Sequence, residues 1–299
     1  MKKLLFTGGT GFLGQNIRPL LDDMYDVTTC GITQEDMIKA NLAEESPEFG
    51  QRFDIVLHAC GKAHLVPKTE SEIKAFFDVN YHGTVNLCHA LEMAGVPDSL
   101  VFISTVAVYG CESGEMITED HTLDGTTPYA KSKIMAESYL TSWCEKNGVT
   151  LGILRPSLLA GKGAPGNLGS MVNGIKHGYY MNIASGKAKK SVLMVEDIAR
   201  LLPLVAEKGG VYNVCDDYQP SFGELSESVA RQLGKRKPFS IPYWVAWPFA
   251  RLGDLFGDKA PINSYKLGKM TQSLTFSNEK AKQELGWIPL DVLQNYKIN

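Results

Sequence analysis

Tyr129 and Lys133 stand four residues apart in Pro128-Tyr129-Ala130-Lys131-Ser132-Lys133, so on a helix they share one face. A cation held beside a phenol lowers its pKa from about 10 toward working pH. The phenol then serves as acid or base in an alcohol–ketone interconversion. Many helices carry this spacing by chance. Here two neighbours give it weight: a glycine loop near the start of the chain, and the pair Ser104-Thr105 closing an apolar run upstream.

The glycine loop reads Gly8-Gly9-Thr10-Gly11-Phe12-Leu13-Gly14, between an apolar run at 3–7 and a helical pattern from Phe12 to Asp23. A glycine at 8 permits a tight turn, one at 11 lets backbone approach a pyrophosphate, and one at 14 lets helix and strand pack closely. Phosphates bind the N-terminus of such a helix, so Gly8, Gly11 and Gly14 predict a dinucleotide site. Ser104 and Thr105 close the strand predicted at 100–104, where ligands of parallel sheets sit. A strand-capping turn is the plain alternative for them. An acidic residue for the ribose hydroxyls is expected after the second strand. The run Thr28-Thr29-Cys30-Gly31-Ile32-Thr33 holds neither acid nor arginine. Thr33 and Asn41 are candidate adenosine contacts or a solvated turn, and NAD against NADP stays open.

Strands are predicted at 3–7, 26–30, 54–59, 100–104 and 150–154, alternating with helices at 12–23, 71–94 and 129–147. Apolar, non-alternating strands between helices imply an α/β fold of the Rossmann type, with a doubly wound parallel sheet. Residues 1–156 read as the dinucleotide-binding domain. Residues 157–299 read mainly as a smaller C-terminal lobe, some of whose segments return to the main sheet. Helices near 196–206 and 222–233 and a strand at 211–214 belong to this second part. Tyr243, Trp244 and Trp247 read as its aromatic anchors.

Composition narrows the function. The 299 residues are 44% hydrophobic, enough for one large domain or two lobes around a cleft. A formal charge of −3 gives no reason to expect nucleic acid or an anionic membrane. The six cysteines (30, 60, 88, 111, 144, 215) and six histidines (58, 64, 82, 89, 121, 177) share no metal-ligand spacing. We therefore expect no metal and reduced, cytoplasmic thiols. The apolar opening ends too soon for a signal peptide, and Pro242 and Pro248 break the longest late apolar run, so no membrane span is expected. Lys187, Lys189 and Lys190 form either a solvated basic run or a clamp for a diphosphate.

Together these residues resemble the extended short-chain dehydrogenase/reductases, in the NAD-dependent epimerase/dehydratase branch that acts on nucleotide sugars. The resemblance covers nearly the whole chain. It rests on the glycine loop, on Asp54-Ile55-Val56-Leu57-His58-Ala59-Cys60-Gly61, on Asn80, on Ser104-Thr105-Val106-Ala107-Val108-Tyr109-Gly110, on Tyr129 and Lys133, and on Arg155-Pro156. It implies cofactor contacts at Gly8, Gly11, Phe12, Leu13, Gly14, Ala59, Cys60, Gly61, Asn80, Ser104, Tyr129, Lys133 and Pro156. It implies catalysis by Thr105, Tyr129 and Lys133, with Thr105 and Tyr129 touching substrate. Asn167-Leu168 resembles the pair that holds the nucleotide diphosphate, and Lys190 stands where many relatives carry an arginine. The implied cofactor is NAD or NADP and the implied substrate a UDP-linked sugar. A homodimer through the helices at 71–94 and 129–147 is implied as well.

Val106-Ala107 replaces the Asp-Glu pair of sugar dehydratases, which argues against dehydration. A 4-keto-sugar reductase and a UDP-hexose or UDP-N-acetylhexosamine 4-epimerase both fit. The missing acid leans toward the reductase, which exchanges its cofactor. A reductase of a non-nucleotide substrate and a non-catalytic relative fit less well.

Overall fold

The computed structural model describes residues 1–63, 65–260 and 262–298; His64 lies outside them. In chain order the first half runs β1 (Lys3–Thr7), α1 (Phe12–Asp22), β2 (Asp26–Gly31), β3 (Ile38–Lys39), β4 (Ile55–His58), α2 (Glu70–Phe77), α3 (Gly83–Ala94), β5 (Ser99–Ile103), β6 (Gly114–Ile117), α4 (Pro128–Asn147) and β7 (Thr150–Pro156). The second half runs β8 (Leu158–Ala160), α5 (Gly166–His177), β9 (Asn182–Ile183), β10 (Val192–Met194), α6 (Glu196–Lys208), β11 (Gly210–Val214), α7 (Phe222–Gln232), β12 (Ser240–Ile241), α8 (Tyr243–Gly253), α9 (Ser264–Thr271), β13 (Leu274–Phe276), α10 (Glu279–Leu285) and α11 (Val292–Asn295).

Seven strands form one parallel sheet in the order β11-β7-β5-β4-β1-β2-β3. Successive residues of a strand point to opposite faces. Leu4, Phe6 and Leu57 therefore meet Ile17 and Leu21 of α1 and Ile198, Leu202 and Val205 of α6 on one side. Leu5, Val56 and Phe102 meet Leu87 and Leu91 of α3 and Leu140 and Trp143 of α4 on the other. Both faces are covered, which explains why the strands read as unbroken apolar runs. Residues 196–214 lie far along the chain yet supply α6 and the edge strand β11 to this sheet. The rest of the second half builds the two-stranded sheets β8/β10 and β9/β12, and pairs β13 with β6 of the first half. Its own core brings α5 and α7 together through Leu168, Met171, Ile175, Leu225 and Val229.

Two details differ from the sequence expectation. The helix predicted at 71–94 begins one residue earlier, where Thr69 and Glu72 cap each other reciprocally. It is also interrupted by a widened π-type turn at Asp78–His82, which sinks Asn80 into the interior. The second detail is Tyr243, Trp244 and Trp247. They anchor nothing, because all three are exposed on α8.

Candidate functional site

The site lies at the carboxyl ends of β1, β4, β5 and β7. Gly8 has φ +81°, and a Cβ there would sit 2.7 Å from the Cys60 nitrogen. A side chain at Gly14 would stand 2.3 Å from Gly9 backbone. Both glycines are thus demanded by the chain's own packing. Gly11 is different, because a Cβ there would meet only the Gly8 carbonyl, at 3.4 Å. The open space belongs to whatever approaches the N-terminus of α1, where Phe12 and Leu13 supply the first turn. A dinucleotide pyrophosphate fits this cradle.

Tyr129 enters from the first turn of α4, which Pro128 and the Thr127 cap fix in place. Burial raises the phenol's pKa, and a hydrogen bond with the Thr105 side chain acts against that rise. Thr105 itself caps a short turn, its hydroxyl accepting from the Ala107 nitrogen at 3.1 Å. The Lys133 ammonium is buried, lies 4.4 Å from the Phe102 ring centroid and donates to the Ile103 carbonyl at 2.8 Å. Burial lowers its pKa to about 8, against the pull of Cys60 and Glu137. Gly61 makes room for it, since a Cβ there would come within 3.2 Å of the ammonium.

Three residues named from the sequence turn inward. Ser104 does not share the cleft with Thr105; its buried hydroxyl donates to Glu137. Glu137 also pairs with Arg155 at 2.6 Å, and Arg155 donates to the Tyr109 hydroxyl at 3.0 Å. The Ser104 proton is thus committed to Glu137, which leaves the hydroxyl oxygen to a cofactor only as an acceptor. Asn80 braces the loop after β4, accepting from the Lys62 nitrogen at 2.7 Å and donating to Ser132 at 2.9 Å. Leu168 is a buried core residue of the lobe, so only its backbone is left for a ligand. Its neighbour Asn167 is exposed at the start of α5. Ala59 and Cys60 line the loop as backbone, with the Cys60 nitrogen donating to Thr7 at 3.2 Å. Pro156 closes β7, buried beside Val214.

The basic run divides. Lys190 donates to the Gln272 carbonyl at 3.0 Å, and its pKa falls to about 8 through burial and then the nearby Lys269. Lys187 and Lys189 instead line a concavity of about 300 Å³ with Gln219, Ser273 and Thr275.

Two residues take buried places by the site that the sequence does not give them, His58 carrying no ligand spacing and Glu35-Asp36 reading as a solvated face. His58 is buried between Thr7 and Thr84, its ring nitrogens 2.7 and 2.9 Å from their hydroxyls. Burial, and then the Lys133 charge, lower its pKa to about 3, so it stays neutral. Asp36 lies five residues past the end of β2, outside the window in which an acid was sought. It folds back over Gly31, where a Cβ would stand 2.6 Å from its carboxylate. One oxygen accepts from the Thr33 nitrogen and hydroxyl at 3.1 and 2.9 Å. The other is buried and has no partner. Burial chiefly, and the Asp36 charge to a lesser degree, raise the pKa of Cys30 and of Cys60. No spacing rule would find Asp36, because the intervening turn decides where it points.

Residues 4–215 match the NAD dependent epimerase/dehydratase family. The chain belongs to that family. It is an enzyme of the extended short-chain dehydrogenase/reductase class, with NAD or NADP as its cofactor. An N-acetyl-alpha-D-glucosaminyl-diphospho-ditrans,octacis-undecaprenol 4-epimerase of Escherichia coli O157:H7 is 30% identical over 70% of this chain and 66% of that relative. A UDP-glucose 4-epimerase of Vibrio cholerae is 26% identical over 98% of this chain and 92% of its own length. The RMD structure from Pseudomonas aeruginosa, determined with NADPH, superposes with a TM-score of 0.75 at 22% identity, covering 99% of this chain and 96% of that one. The family member described here therefore shares the chemistry class of nucleotide-sugar epimerases and reductases. Among the described residues no helix is long and apolar enough to cross a membrane, and no group of three His, Cys, Asp or Glu is placed to hold a metal.

Proposed function

We propose that this enzyme is a 4-epimerase of a sugar carried on a diphosphate, with tightly retained NAD. The observation that carries the reading is the orphaned Asp36 oxygen at the tip of β2. The reductase reading leaned on the lack of an acid there, and Asp36 removes that reason. A carboxylate at this place accepts from the ribose hydroxyls of NAD and repels the extra phosphate of NADP. Retention matters because an epimerase inverts a carbon with no net redox change and must not lose its cofactor midway.

Bound NAD supplies a hydride acceptor and donor. The chain's own residues do the rest. In the oxidative half Tyr129, as the phenolate, takes the proton of the sugar's C4 hydroxyl, and in the reductive half the phenol, which burial favours, returns it to the same oxygen. Thr105 holds that oxygen and the phenol in one hydrogen-bonded set. Lys133 is the cation that favours the phenolate when Tyr129 gives up its proton. The loop before Gly61, braced by Asn80, walls the cofactor side. Asn167 and the backbone at Leu168 meet the diphosphate, with Lys190 as a point charge rather than a bidentate fork. A homodimer packed through α2, α3 and α4, where Ile73 and Met135 are exposed, belongs to the same proposal.

The test is the bound-cofactor ratio after gel filtration, paired with product analysis on UDP-glucose and UDP-N-acetylglucosamine. Stoichiometric NAD and 4-epimer formation without added cofactor are expected. A protein that purifies empty and consumes NADH or NADPH with a 4-keto sugar overturns the reading in favour of the reductase.

A further inference from the structure

Helix α8 is built inside out. Its small residues Ala246, Ala250 and Gly253 recur on one face and are buried against the lobe, in part with Leu267 of α9. Its large apolar residues face water. Trp244 is 75% exposed, and Trp247, Phe249 and Leu252 lie open beside it. The apolar surface continues past the helix through Leu255, which is 81% exposed, and Phe256. Burying each of these side chains would remove a large apolar area from water. Leaving several of them together in water marks a surface that something covers.

Charge says what covers it. Residues 235–271, which run from the segment before α8 through α9, hold seven lysines and arginines against two aspartates in a chain whose formal charge is −3; Lys237 is paired with Glu227 and Arg251 with Asp254, which leaves a smaller positive surplus. A second copy is a poor occupant, because a two-fold interface would set this positive surplus against itself. An anionic bilayer complements both properties. Tryptophan and phenylalanine settle at the boundary between headgroups and acyl chains, and lysine and arginine beside them meet the phosphates.

We propose that α8, with Leu255 and Phe256, is a peripheral docking surface for an anionic phospholipid bilayer. The proposal stands on this surface and does not depend on the sugar chemistry above. It does have a consequence for that chemistry. Gln272, just beyond α9, accepts from Lys190, and Lys269 of α9 lowers the Lys190 pKa. The helix that packs behind the docking surface, α9, thus reaches the residue assigned to the substrate's diphosphate. A sugar diphosphate anchored in the bilayer by a lipid would meet the enzyme on this side.

The experiment is co-sedimentation of the full-length protein with vesicles of phosphatidylcholine alone or mixed with phosphatidylglycerol. Binding to the anionic vesicles and its loss in high salt are expected of the unaltered protein. The double substitution Trp244→Glu with Phe249→Glu should weaken partitioning at least about tenfold. It should leave circular dichroism and turnover of a soluble UDP-sugar unchanged. No sedimentation with either vesicle overturns the proposal. So does light scattering that finds an oligomer dissolved by the same two substitutions, which would make the face a contact between copies. Vesicle binding without 4-epimerase activity would leave the docking standing and remove the proposed reaction.

Discussion

The carboxyl edge of the main sheet and helix α8 solve opposite problems. At the sheet edge, polar and charged groups are drawn inward and satisfied one by one: Ser104 and Arg155 by Glu137, Tyr109 by Arg155, and His58 by two threonines. On α8, apolar groups are turned outward into water, with Arg251 5.5 Å from the Trp247 ring centroid. A buried polar group without a partner costs free energy, and so does a large apolar group in water. Each region therefore points to a partner through what it leaves uncompensated. At the sheet edge these are a carboxylate oxygen of Asp36 and the Ser157 hydroxyl just past β7. On α8 it is a whole face.

The largest effect expected at the sheet edge comes from Tyr129→Phe. Removing a general acid–base should lower turnover on the order of 10² to 10⁴-fold while leaving NAD affinity nearly unchanged. Single-turnover kinetics and a binding isotherm read the two separately. Turnover near that of the unaltered enzyme would remove Tyr129 from the chemistry.

Next is Arg155→Met. It strands Glu137 in the interior, and breaking such a buried pair costs about 3–5 kcal/mol. The contrast is Trp244→Glu on α8, which should change stability by no more than about 0.5 kcal/mol. Denaturant unfolding of both proteins compares the two regions directly. Equal losses would erase the difference between them.

Asp36→Asn probes the uncompensated oxygen. Losing a charged acceptor for ribose should weaken NAD binding by about 1.5–3 kcal/mol, or roughly ten- to a hundredfold. Discrimination against NADP should shrink with it. Isothermal titration with both cofactors measures this without any turnover, and unchanged affinities would return Asp36 to the role of a turn residue.

The smallest effect at neutral pH belongs to His58. Its folded pKa is lowered to about 3 from 6.5, so between those values the unfolded chain binds a proton that the folded one refuses. Its contribution to stability is present above pH 6.5 and falls as pH drops through that window. His58→Gln should flatten the loss of stability on acidification, as read from melting temperatures at a series of pH values. A slope identical to that of the unaltered protein would mean that other groups dominate.

The sheet was legible because parallel strands covered on both faces leave unbroken apolar runs, and because Gly14 is dictated by steric contact with Gly8 and Gly9 a few residues away. Tyr129, Lys133 and Thr105 were legible for the same local reason, a helical repeat and a strand end. Asp36 was not, since a turn decides which way it faces. The inward turn of Ser104 was hidden too, because Glu137 and Arg155 reach it from α4 and β7. The aromatic residues of α8 were misread as anchors because hydrophobic residues usually point inward. Only the Ala246, Ala250 and Gly253 stripe reveals the reversed orientation. The net charge of −3 concealed the basic segment by averaging it with the rest.

The widened turn at Asp78–His82 works as a clutch between two lengths of helix. Upstream of it, Phe76 lies 6.2 Å from the Tyr129 ring; downstream, Leu87 and Leu91 grip the sheet. Deleting one residue there would close the widened turn and fuse α2 and α3 into a single rod, with Asn80 no longer sunk by the bulge. With the turn in place, the grip of α3 on the core can be altered by substitution without rotating the face that α2 shows to Tyr129.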